Sequence, residues 1–278
     1  MSRPLKKPIV AVLLSLLYTG LGQAYNRQPP KAVLFAILPL SAVLASSWVG
    51  GLHTFSRLVL VLAVVYSFEL LVAIDAWRVA RRAEVPSASR EAVWLSYACL
   101  AAFLVAQLLL LGNIDYLGRV LRVRAFRMPS SSMIPTILKE ERIIADMRAY
   151  REERPRRGDL VIVDLQDRGP FVRRVVALPG DVVSGSIEQG IRVNGQPLPG
   201  PHWREETSWL SSTTLAALFD FEPITIGHGE IFLLGDNYVR GIQPGNPRLN
   251  LVRLEQVQGK PLYIYWSEEF SRIGRPLE

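Results

Sequence analysis

The chain has 278 residues, enough for one large or two ordinary domains, with 49% apolar residues and a formal charge of +7. The apolar excess lies before residue 112, which separates a membrane-type half from a soluble-type half. Many cations sit in short loops beside apolar runs (Arg3, Lys6 and Lys7; Arg78, Arg81 and Arg82), where they read as topology signals and argue against a nucleic-acid partner; the lone Cys99 excludes an intramolecular disulfide and a cysteine metal site.

Segment 9–25 is apolar but interrupted by Gly20 and Gly22, and it lacks the small-residue cleavage site of a removable leader. Three later stretches, 33–48, 58–77 and 92–112, have the length and composition to span about 30 Å of hydrocarbon as helices. The second carries Glu69 at depth and Asp75 at its end, within reach of water. A carboxylate at depth calls for a partner within the helix bundle; a proton or ion path is the second reading. The loop with Arg78, Arg81, Arg82 and Arg90 is expected in the cytoplasm, which sends everything after Gly112 to the outer face. A fully spanning 9–25 would put the basic N-terminus outside, against the same rule. Either that segment is re-entrant or interfacial, or its charges are overruled. The expected organisation is a membrane domain over 1–112, of three or four helices, and an extracytoplasmic β domain over 113–278.

Beyond residue 120 the pattern changes to short alternating runs broken by Gly and Pro, as antiparallel strands and turns require. Strands are expected over 120–127, 159–165, 171–178, 191–193, 230–234 and 262–266. Gly-Asp pairs at 158–159, 180–181 and 235–236 and the pair Asn194-Gly195 punctuate them, and 197–226 reads as an irregular insertion.

The chemistry is concentrated in Met128-Pro129-Ser130-Ser131-Ser132-Met133-Ile134-Pro135-Thr136, a proline-flanked serine turn at the start of the soluble half. By itself the triplet reads as a polar turn. Three further runs follow in order: RRGDLVIV from Arg156, FVRRVVALPGD from Phe171 and GEIFLLGDN from Gly229. Together with RAFRMPSSSMIPT from Arg124, these four boxes resemble the bacterial signal peptidase I (leader peptidase) family over about 120–266. The resemblance implies a membrane-bound serine endopeptidase that removes signal peptides from exported proteins at the outer face of the cytoplasmic membrane. Its partners would be preprotein signal peptides and the lipid bilayer, with no cofactor and no metal. It implies Ser132 as nucleophile, Ser130 as oxyanion donor through its hydroxyl, and Arg174, Asp236 and Asn237 as structural support. Ser131 stands where the family usually has glycine.

A serine nucleophile needs a base within hydrogen-bond reach, and in this family the base is a lysine whose charge is suppressed by apolar surroundings. The matching position here is Arg173, a side chain that stays protonated in proteins. Past the last box, Gly241 occupies the place of the serine that positions the lysine, Gln243 that of an aspartate, and Arg248 matches an expected arginine only in a shifted register. Lys139 is expected on a solvated loop with Glu140 and Glu141; His53, His202 and His228 are expected as loop or surface residues. The departures cluster on the base side, so a catalytically silent relative that binds signal-peptide-like segments or a membrane partner stands beside the peptidase reading.

Overall fold

The structure, a computed structural model, describes residues 7–82, 88–165, 169–186, 188–198, 220–237 and 247–277. The chain folds as two compact units, one of residues 1–52 and 56–122, the other of 53–55 and 123–278. The architecture is the expected one: N-terminal helices, three of them long and apolar enough to cross a membrane, followed by antiparallel sheets.

The first unit contains α1 (Pro8–Leu17), α2 (Leu21–Tyr25), α3 (Pro29–Trp48), α4 (Phe55–Ala80), α5 (Arg90–Gly112) and α6 (Ile114–Leu121). Candidate spans fall on α3, α4 and α5. Segment 9–25 is not one helix: Gly20, at φ 101°, breaks it between α1 and α2. The 10 residues of α1 rise only about 15 Å, half the hydrocarbon thickness. Close packing explains both glycines, since a Cβ on Gly20 would lie 2.3 Å from the Ala32 carbonyl oxygen and one on Gly22 2.3 Å from that of Ala11. Small side chains (Ala11, Ala76 and Ala80) let the helices approach, and amides bind them: Gln23 Nε2 donates to the Val72 carbonyl (2.8 Å) and Asn26 Nδ2 to that of Ala76 (2.7 Å). Asp75 is held by Lys31 at 3.2 Å. Glu69 has no hydrogen-bond or ion-pair partner among the described residues, so the expected bundle partner does not materialise there.

The second unit holds a seven-stranded sheet in the order β1-β2-β11-β3-β4-β9-β10 and a four-stranded sheet in the order β7-β6-β5-β8. The strands are β1 (Val123–Arg127), β2 (Arg142–Asp146), β3 (Leu160–Leu165), β4 (Gly169–Ala177), β5 (Val182–Ser186), β6 (Gly190–Val193), β7 (Gln196–Pro197), β8 (Phe221–Thr225), β9 (Glu230–Leu234), β10 (Leu251–Arg253) and β11 (Val257–Trp266), with a short helix α7 (Ala149–Glu152) after β2. Every pairing is antiparallel. Asn194 and Gly195 both take positive φ (51° and 76°), which suits the two-residue turn joining β6 to β7.

One expected strand needs correction. The run 120–127 begins as helix: Asn113 caps α6 by accepting from the Tyr116 amide, and only after Arg122, at φ 62°, does β1 start. Most of the 197–226 insertion, including His202, lies outside the described residues, as do Gly241 and Gln243. Its end is strand β8, which pairs with β5.

Candidate active site

The serine turn follows β1 and leads into β2, and its own apolar residues anchor it. Met128, Met133 and Ile137 are buried in a cluster with Ile143, Leu160, Ile162, Val172 and Ile264. Burying each such side chain is worth roughly 1.5–3 kcal/mol, so the turn is pinned at its start, middle and end. Backbone bonds close it, from the Met128 amide to the Glu141 carbonyl (2.9 Å) and from the Ile137 amide to the Met133 carbonyl (2.9 Å). Ser132 is therefore fixed by its neighbours and is only 4% exposed, whereas Ser130 lies at the rim.

Arg173 reaches this turn from β4. Its Nη1 donates to Ser132 Oγ (2.9 Å) and to the Val172 carbonyl (2.8 Å), and the guanidinium carbon sits 5.0 Å from the centroid of the Phe171 ring. Ser130 Oγ lies 3.1 Å from Ser132 Oγ. Ser130, Ser132 and Arg173 thus come together as a continuous polar chain. Burial pushes the Arg173 guanidinium below its ordinary pKa, and no carboxylate pairs with it among the described residues. An arginine nonetheless remains charged and has only donors to offer. Ser132 Oγ accepts from it, which is the reverse of what a general base does.

The neighbouring Arg174 has the opposite fate. It is bidentate to Asp236, Nε to Oδ1 at 2.8 Å and Nη2 to Oδ2 at 2.7 Å, and its Nη1 donates to the Gly158 carbonyl at 2.6 Å. Thr136 also donates to Asp236, tying the far end of the serine turn to the loop after β9. The Asn237 amide donates to the Ser132 carbonyl at 3.0 Å. The three support residues therefore brace the backbone around Ser132.

A second brace was not visible in the sequence. Glu141 is 2% exposed, not solvated, and its carboxylate accepts from Arg272 Nε (2.6 Å), Ser267 Oγ (2.8 Å) and the Leu138 amide (2.7 Å). Arg272 Nη2 continues to the Thr136 carbonyl at 2.9 Å. Burial alone would raise the Glu141 pKa; the Arg272 hydrogen bond, the Leu138 amide, Ser267 and the Arg272 charge outweigh it and hold the carboxyl below its usual range. No local motif marks this pair, because 131 residues separate its members.

The other candidates stand apart from Ser132. Lys139 and His228 are exposed, Arg248 is exposed in a short 3-10 turn, and His53 lies 3.9 Å from Asp146. Groups of three or more His, Cys, Asp or Glu able to hold a metal do not occur among the described residues. The arrangement can hold and polarise a hydroxyl and can receive negative charge. Among the described residues, no side chain beside Ser132 Oγ is a proton acceptor stronger than another hydroxyl.

A family model described as signal peptidase, peptidase S26, matches residues 96–266. The chain is similar to a signal peptidase I of Bacillus licheniformis, with 27% identity over 152 residues, 52% of this chain and 81% of that protein. It is also similar to a probable signal peptidase I of Mycobacterium leprae strain TN, with 23% identity over 231 residues, 64% of this chain and 77% of that protein. Among solved structures, a crystal structure of a signal peptidase I from Enterococcus faecalis V583 aligns at 20% identity and a TM-score of 0.31, covering 39% of this chain and 97% of that one.

Proposed function

The chain belongs to the signal peptidase, peptidase S26, family, and from that membership we propose that it binds the signal-peptide region of exported proteins at the membrane without cutting it. The observation that carries this reading is the bond from Arg173 Nη1 to Ser132 Oγ at 2.9 Å. A donor stands where the hydroxyl proton would have to leave, so Ser132 gains no nucleophilicity from its neighbour. The bound segment would lie as an added strand against the edge of the serine turn, backbone to backbone, with shallow recesses for small side chains.

The protein is a membrane protein with three candidate spans among the described residues. We place it in the cytoplasmic membrane, its β unit on the outer face, because Arg78, Arg81, Arg82 and Arg90 flank the α4–α5 connection and favour the cytoplasm. Cleavage of the β unit by protease added outside spheroplasts supports this orientation; protection there refutes it.

A working endopeptidase is the second reading. The observation in its favour is the pair of hydroxyls 3.1 Å apart, since a hydroxyl beside Ser132 Oγ is of the kind that can donate to an oxyanion. One experiment separates the two: preprotein binding and cleavage by the full chain in detergent, beside Ser132→Ala and Arg173→Lys. Binding without cleavage by the parent protein is the expected result. Cleavage by the parent protein that Ser132→Ala abolishes overturns it.

A further inference from the structure

Two arginines adjacent on β4 differ in their partners. Arg174 has its full complement of acceptors in Asp236 and the Gly158 carbonyl. Arg173 uses one nitrogen, Nη1, on a hydroxyl and a peptide carbonyl, and its Nη2 and Nε meet no acceptor among the described residues. The acids that could neutralise it are committed elsewhere, Asp236 to Arg174 and Thr136, Glu141 to Arg272 and Ser267. A partly buried guanidinium whose partners among the described residues are all neutral lacks a counter-charge there, and it lies over the Phe171 ring.

The turn that Arg173 meets carries several donors. The Ser130 hydroxyl lies at the rim, the Ser132 hydroxyl forms the floor, and the Ser132 amide N–H has no acceptor among the described residues. Guanidinium and hydroxyls thus follow one another from Arg173 through Ser132 to Ser130. A planar two-oxygen anion matches the fork of an arginine, and the charge makes each hydrogen bond stronger than one to a neutral carbonyl.

We infer that the Arg173 edge and the Ser130 hydroxyl form a receptor for a peptide α-carboxylate, so that the protein holds the free C-terminus of a signal-peptide-like segment. This rests on the reading of the site as a binder of such segments and specifies which form of them it prefers. An uninterrupted chain offers only neutral carbonyls at this point, whereas a chain that ends here offers the charge that Arg173 lacks. Small side chains at that end are expected, because signal-peptide-like segments end in small residues. The reaction class that supplies such a ligand is endoproteolysis after small residues.

The test uses the full chain in detergent micelles and a labelled peptide of about ten residues, apolar with small terminal residues, as the free acid and as the C-terminal amide. Fluorescence anisotropy at neutral pH gives both affinities. The acid is expected to bind between about tenfold and a hundredfold more tightly than the amide, the range of a charge-assisted hydrogen-bonded contact. Arg173→Gln is expected to erase that preference by bringing acid binding down to the affinity of the amide for the same variant. Equal affinity for acid and amide overturns the inference and leaves the proposed function standing. Binding of neither peptide overturns the proposed function along with it. Inorganic phosphate displacing the acid peptide at similar concentration also overturns the inference, since it marks a general anion site.

Discussion

Replacing Arg272 by methionine keeps most of the side-chain volume and removes the charge that braces the serine turn. Arg272 is 9% exposed and Glu141 2%, and the replacement deletes two bonds to the carboxylate (2.6 and 3.1 Å) and one to the Thr136 carbonyl (2.9 Å). Losing one partner of a buried pair costs roughly 3–5 kcal/mol. Two donors, Ser267 Oγ and the Leu138 amide, remain on Glu141, which puts the cost near the lower end. About 3 kcal/mol in a unit of this size lowers the melting temperature by roughly 6–12 °C. The pH dependence gives a sharper test. In the parent protein the Glu141 pKa is depressed, so the pair adds stability above the ordinary carboxylate range and loses it as pH falls through the folded-state value. In Arg272→Met burial dominates and the pKa is raised, so Glu141 charges against the fold as pH rises. The deficit is therefore large at neutral pH and small at an acid pH below the depressed folded-state value. Thermal melts of the full chain at both pH values, followed by limited proteolysis of the turn, measure it, and Glu141→Gln with Arg272→Met should recover part of the loss. A deficit absent at neutral pH, or one that grows on acidification, refutes the reasoning.

Other perturbations test separate parts of the molecule. Arg173→Lys is expected to introduce slow preprotein cleavage that Ser132→Ala abolishes, read on gels, because a lysine in this partly buried position can shed its proton whereas an arginine does not. Asp236→Asn removes the charged acceptor of Arg174 and is expected to cost about 1–3 kcal/mol and weaken peptide binding, measured by melting and anisotropy. Gly22→Val drives a side chain into the Ala11 carbonyl and Ser15 Oγ, which would lie 2.3 and 2.0 Å from its Cβ; a loss of roughly 1–3 kcal/mol should appear as earlier aggregation on heating. Glu69→Gln, at a site with no partner among the described residues, is expected to leave melting and peptide binding unchanged, and a change in either would reopen the ion-path reading.

What the sequence disclosed follows physical range. β3, β4 and β9 were legible because their apolar residues run between turn signals, and Ser132 meets Arg173 as the ordered boxes implied. β2 was missed because RIIAD is short and flanked by charge. β11 is longer than the expected 262–266 because Gly259 and Pro261 read as breakers, yet bulges between Pro261 and Tyr263 and between Ile264 and Trp266 absorb the irregularity. The Glu141–Arg272 brace left no local trace, since each residue looks like an ordinary surface charge until the fold joins them. The last two residues of α6, Val120 and Leu121, were assigned to the following strand because the alternating run 120–127 includes them.

A site that has merely lost its base should let the replacement side chain swing into solvent, because arginine is long and its charge prefers water. Arg173 does the opposite. It lies over Phe171, against a carbonyl and against Ser132 Oγ, at a cost in desolvation that those neutral partners offset only in part. The turn that receives it is braced from two directions by ion pairs, Arg174 with Asp236 and Arg272 with Glu141, that do not involve Arg173. Rigid support around a cation that meets no carboxylate among the described residues is a poor arrangement for an empty relic and a suitable one for a binding site, because the rigidity is independent of the charge and keeps it available. If peptide binding balances that charge, peptide carboxylates should raise the melting temperature of the β unit while their amides raise it less, and Arg173→Gln should remove the difference. Equal stabilisation by acid and amide in the parent protein would show that Arg173 is balanced within the fold.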